Sequence, residues 1–142
     1  MKAALEQARL ARDAGEVPIG AIVVLDEAIV GRGFNHPISS GDPTAHAEIV
    51  AIRQAAREVG NYRLTGATLV VTIEPCLMCV GALVHARIST LVYGAAEPRT
   101  GAIASTVRGG ELPGHNHRFA IVSGVLEDEC RELVQTFFRD KR

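Results

Sequence analysis

The sequence predicts an α/β fold in three layers: a central five-stranded mixed sheet with helices on both faces, folded as one domain over residues 1–142. Three observations predict it. The apolar runs Ile19–Leu25 and Ala28–Phe34 are separated only by Asp26-Glu27, which makes them an antiparallel hairpin. The Val- and Thr-rich run Ala67–Ile73 and the short apolar run Thr90–Tyr93 flank a helical stretch, the arrangement of a right-handed parallel crossover. Both ends of the chain carry apolar residues at helical spacing.

In order, the first helix covers Met1 to Ala14, with Ala4, Leu5, Ala8 and Ala11 on one side and Gly15 as its stop. The hairpin follows. Asn35 stands just past its second strand and opens a Ser/Gly/Asp/Pro loop that reaches Pro43. Such an asparagine ordinarily caps backbone, a reading that changes if the loop borders a ligand site. Asp42-Pro43-Thr44 reads as the start of a second helix, which runs to about Glu58 and buries Ile49, Val50 and Ile52. After the third strand, Glu74-Pro75 leads into a third helix from Cys76 to about Arg87. This helix is apolar nearly all round, so it is either sandwiched in the core or shared with a second subunit. Beyond the fourth strand, Gly94 to Asn116 shows no periodicity and reads as a long functional loop. Phe119–Val122 forms the fifth strand. Leu126 to Arg142 forms the last helix, with Leu133, Val134, Phe137 and Phe138 on its apolar side. Cys130 in that helix reads as a small buried residue.

Composition narrows the possible functions. With 47% hydrophobic residues the chain can bury a core without disulfides, and three cysteines suit a reducing compartment, the cytoplasm. No apolar run approaches membrane length, and the N-terminus lacks the apolar stretch of a signal peptide. A net charge of -1 excludes a general nucleic-acid coat, so any RNA contact must come from local basic patches.

The chemistry lies in two pieces, Thr44-Ala45-His46-Ala47-Glu48 and Glu74-Pro75-Cys76-Leu77-Met78-Cys79. Cys76 and Cys79, at i and i+3, aim both sulfurs from one helical face, and His46 can supply a third ligand. Cys-x-x-Cys alone is equally a redox pair or half of a structural zinc site. A structural zinc site wants four protein ligands, and the only other cysteine is Cys130. Three ligands with an open fourth position mark a catalytic zinc. Two thiolates neutralise much of its charge, so an external base is needed, and Glu48 is placed to be that base. The metal would sit at the N-termini of the second and third helices, whose dipoles favour thiolates. His-x-Glu followed by Pro-Cys-x-x-Cys is the signature of zinc-dependent nucleobase deaminases.

With Asn35 and Asn116-His117 added to these motifs, the chain resembles the bacterial tRNA-specific adenosine deaminases of the TadA type over nearly its whole length. Glu16–Ala21, Asn61–Leu64 and Leu133 onward to Phe137-Phe138-Arg139 support the likeness. The resemblance implies a cytidine deaminase-like fold, a homodimer, one zinc ion per subunit, and conversion of adenosine to inosine at the wobble position of an arginine tRNA anticodon. It makes His46, Cys76 and Cys79 the zinc ligands and Glu48 the proton shuttle, which serves ring N1 of a flipped adenine and then the departing amine. It also implies that Asn35 bonds the base or its ribose, that Ala47, Pro75 and Glu97 contact substrate, and that Asn116 holds the neighbouring backbone. Phe137, Phe138 and Arg139 would line the path of the anticodon stem-loop. One departure lies after the fourth strand, where Glu97 and Arg99 replace the Asp and Lys common in relatives.

Two other readings fit the same motifs: a deaminase of a free nucleobase or nucleoside, and an inactive zinc-stabilised RNA-binding scaffold. The first needs no RNA platform. The second has no use for Glu48.

Overall fold

The computed structural model describes the whole chain, Met1–Arg142. Its elements run α1 (Lys2–Asp13), β1 (Gly20–Leu25), β2 (Ala28–Phe34), α2 (Pro37–Ser40), α3 (Ala47–Val59), β3 (Thr68–Ile73), α4 (Leu77–His85), β4 (Thr90–Ala95), a 3₁₀ turn at Gly109–Glu111, β5 (Ala120–Val122) and α5 (Glu127–Asp140). The strands form one sheet in the order β2-β1-β3-β4-β5. β1 pairs antiparallel with β2 and β3, while β4 lies parallel to both β3 and β5. The sheet is therefore mixed, as the hairpin and the crossover require.

The period-2 alternation of β1 divides the helices between the two faces. Ala21 and Val23 pack with Ala47, Ala51 and Ala55 of α3 and with Val80 and Leu83 of α4. Ile22 turns the other way, toward Ala4 of α1. On that second face Leu5 of α1 also meets Cys130 of α5 over Ile73 and Ala95. Leu69, Leu83 and Leu91 are fully buried in the larger cluster, where each contributes about 1.5–3 kcal/mol. Two close approaches explain glycines in the strands. A Cβ on Gly20 would lie 2.1 Å from the Ala4 carbonyl oxygen, and one on Gly33 2.5 Å from that of Ala47. The helices thus sit directly on the sheet backbone. The N-termini of α3 and α4 meet at the carboxyl end of β3, the usual place for a ligand in a sheet with parallel strands.

The local sequence misleads in four places. Pro37–Ser40 is a short helix inside the segment expected to be loop. The second helix begins at Ala47, because the Asp42 carboxylate accepts from the Thr44 N–H at 2.8 Å and its hydroxyl at 2.7 Å, which makes a turn of the expected cap. His46 therefore stands at the N-cap with extended backbone, not inside the first turn. α4 buries Cys79, Val80, Leu83 and Val84 but leaves Leu77 and Met78 exposed, so its own chain does not sandwich it. On α5, Phe137 is only half-buried and Phe138 is 46% exposed, which removes Phe138 from the expected core side.

Candidate active site

His46 and Cys76 are the N-cap residues of α3 and α4, and Cys79 lies in the first turn of α4. The helix starts thus bring together residues thirty positions apart. His46 Nδ1 is 3.6 Å from the sulfurs of both Cys76 and Cys79, and the three ligand atoms lie within 4.8 Å of one another. A tetrahedral zinc with bonds of about 2.3 Å to sulfur and about 2.1 Å to nitrogen would separate S and N by about 3.6 Å. The donor set therefore fits zinc.

Its electrostatics point the same way. The Cys79 thiol and His46, both donating to Cys76, hold the Cys76 thiol down to about 4, so it is a thiolate at neutral pH. That thiolate, with burial, pushes Cys79 up. His46 is raised by its bond to Cys76. Two adjacent thiolates cannot both ionise without a cation between them, and a divalent metal supplies that charge.

Glu48, in the first turn of α3, is 4% exposed and stands outside the ligand cluster. Burial raises its carboxyl above the ordinary value, which favours the protonated form. It faces a cavity of about 200 Å³ shared with His46, Cys76, Asn35, Glu97 and Thr100. That is smaller than a drug-sized pocket and suits a single base. Asn35 donates through Nδ2 to the Val17 carbonyl at 3.3 Å, which holds the side chain at the cavity wall and leaves Oδ1 without a partner from the chain.

Residues 1–95 match the cytidine and deoxycytidylate deaminase zinc-binding region. A protein of Haemophilus influenzae named tRNA-specific adenosine deaminase is 48% identical over all of this chain and 83% of its own length. A solved structure from studies of A-to-I editing by tRNA:A34 deaminases superposes with a TM-score of 0.91 at 46% identity, covering 94% of this chain and 96% of the other. The structure of guanine deaminase from Bacillus subtilis gives 0.64 at 42% identity over 67% of this chain and 61% of that one.

This chain belongs to the tRNA-specific adenosine deaminase family.

Within this deaminase the residues predicted to contact substrate are divided. Asn35 and Glu97 line the cavity. Phe138 and Arg139 line a wider groove of about 810 Å³ with Pro98, Arg99, Val134 and Arg142, and Glu97 borders both spaces. The side chains of Ala47 and Pro75 are buried and do not line the cavity. Phe137 turns away from the groove toward α1, with Lys141 Nζ 5.1 Å above its ring. Asn116 lies apart from the cavity. It is exposed and accepts from Arg87 at 2.8 Å, just past the far end of α4, whereas the ligands sit at the near end. Nine helical residues separate the two ends by about 14 Å.

Sequence reasoning assigned no role to two buried acids of the deaminase. Glu16 is 2% exposed and accepts from the N–H groups of Ile38 at 3.3 Å and Ser39 at 2.7 Å, so it anchors α2 and with it Pro37 of the cavity wall. Glu74, 3% exposed, gathers donors from residues 97–105. For each, burial pushes the carboxyl up, but the converging N–H donors more than offset it and the net shift is downward. No local spacing announces either role. The one signal is a glutamate beside a strand with no neighbour in sequence to pair it.

Proposed function

We propose that this deaminase converts adenosine to inosine at the wobble position of a tRNA anticodon by hydrolysis, with release of ammonia. The observation that carries the reading is the His46, Cys76 and Cys79 cluster with the buried Glu48 beside it, open to a cavity sized for one base. Zinc held by those three residues supplies Lewis-acid activation of water. Glu48 would take one proton from the attacking water and pass it to N1 of the purine ring, then carry the second, from the hydroxyl added at C6, to the departing amine, so that the C6 carbonyl forms as ammonia leaves. Burial, which favours its protonated form, suits it to hold the proton between these steps. Asn35 offers Oδ1 to the flipped base or its ribose.

The adjoining groove supports a polynucleotide over a free base. Arg99, Arg139, Lys141 and Arg142 line it with Phe138, opposed only by Glu97. Cations with an exposed aromatic fit a splayed single strand through phosphate contacts and stacking. The specific tRNA, an arginine tRNA, follows from the family resemblance alone. Leu77 and Met78, uncovered on α4, support a homodimer. No helix is long and apolar enough to cross a membrane, and a tRNA substrate fits a cytoplasmic enzyme.

The likeness to a guanine deaminase supports a second reading, deamination of a free base. Turnover of an anticodon hairpin against free guanine and free adenosine decides between the two. The tRNA reading expects conversion of the hairpin alone. Preferential turnover of free guanine would replace it.

A further inference from the structure

We propose that Glu74 is a positioning residue: its carboxylate ties the substrate-facing loop after β4 to the strand end that carries Cys76, and thereby sets substrate affinity. The inference rests on the deaminase reading above.

Oε1 of Glu74 accepts from the Glu97 N–H at 3.1 Å and from the Ser105 hydroxyl. Oε2 accepts from the N–H groups of Ile103 at 3.0 Å, Ala104 at 2.9 Å and Ser105 at 3.0 Å. These five donors saturate roughly four acceptor sites of a carboxylate, which leaves Glu74 no capacity to serve as a base although it borders the cavity. What it can do is hold the loop. Glu97 and Thr100 come from that loop and form the cavity wall, and the Glu97 N–H is itself one of the five donors.

Two further contacts make the tie specific. The Ala102 N–H donates to the Pro75 carbonyl at 2.8 Å, so the residue between Glu74 and Cys76 also grips the loop. At Gly101 a Cβ would lie 2.4 Å from the Glu74 carboxyl carbon, so the loop passes where only glycine fits. Residues 96–108 contain no helix or strand, and apart from the Glu74 tie the loop is held by turn bonds within itself and by Ala102 and Ile103 in the core. Replacing the carboxylate by an amide turns two acceptor sites into donors that face other donors, at constant volume.

The test compares zinc-loaded wild-type protein with E74Q, G101A and S105A. Hydrogen exchange is followed by mass spectrometry, and deamination of an anticodon hairpin by steady-state kinetics. At one zinc per chain, E74Q is expected to raise KM by roughly tenfold with kcat within about threefold of wild type. Its amides across residues 97–105 should exchange at least roughly tenfold faster, with those of β3 and β4 unchanged. G101A should act in the same direction, and S105A more weakly, because it removes a single donor. Unchanged KM and unchanged exchange in E74Q would overturn the proposal. So would a loss of kcat in step with lost zinc at constant KM, the mark of a merely structural role. If E74Q does not accumulate folded, G101A and S105A decide by the same readouts, and wild-type values in both overturn it. If wild-type protein fails to convert the hairpin, the deaminase reading fails on its own, while the exchange arm still shows whether Glu74 holds the loop.

Discussion

Glu16, which anchors α2 behind the Pro37 wall of the cavity, and Glu48, which lines that cavity, respond to pH in opposite senses. N–H donors hold Glu16 below its ordinary value of 4.5, so its stabilisation is complete above that pH and is lost as pH falls through the lower folded value. Glu48 is raised above 4.5 by burial, so its contribution is present below that pH and fades as pH rises through the folded value. E16Q should therefore lower the thermal midpoint at neutral pH and converge on wild type in acid, as read by circular dichroism. A deficit that stays constant across pH would refute the ionic tie to Ile38 and Ser39. At this scale the sequence was legible where spacing is local. Cys76 and Cys79 declare a shared face, and His46 and Glu48 share one helix start. It was opaque where a side chain finds its partner across the fold. Glu16 lies 22 and 23 residues from its donors, and Glu74 lies 23 to 31 residues from its own. The position of Asn116 beside Arg87 was equally out of reach, since a motif gives no indication of which end of the sheet a loop will reach.

Among the elements, strands were the most legible, because period-2 runs of Val, Ile and Thr have few alternatives. The second strand falls on Ala28–Phe34 as expected. Helix starts were less so. Asp42 and Thr44 are good caps by type, yet their side chains close a turn on each other and leave His46 to begin α3. α2 depends on a distant acid, so its four residues carry too little local signal. The apolar surplus of α4 was visible in sequence, and the structure locates it at Leu77 and Met78, 52% and 38% exposed. If this surface joins two copies, wild-type protein should scatter light as a species of about 30 kDa, twice the chain mass of 15.1 kDa, and L77E as the single chain. A wild-type monomer at micromolar concentration would remove α4 from any self-association.

For the whole molecule, overall charge conceals the working surface. The net charge is -1, yet Arg99, Arg139, Lys141 and Arg142 converge on the groove beside the cavity. Composition reports only their sum, whereas the return of α5 over β4 places the chain's end beside the loop after β4. Deleting Arg139–Arg142 should weaken hairpin binding and flatten its salt dependence by roughly 0.7 in log-log slope per lost phosphate contact, with zinc content unchanged. A folded truncation with the full-length slope would place the RNA elsewhere. The division of labour on which the whole account depends is that His46, Cys76 and Cys79 hold the metal while Glu48 moves the protons. Mass spectrometry of an anticodon hairpin incubated with wild type and with E48A, each at one zinc per chain, tests it most directly. The account predicts inosine at the wobble position with wild type, and a rate lower by at least about a thousandfold with E48A at undiminished zinc. Inosine formed by E48A at a comparable rate, or loss of zinc from that variant, would contradict it.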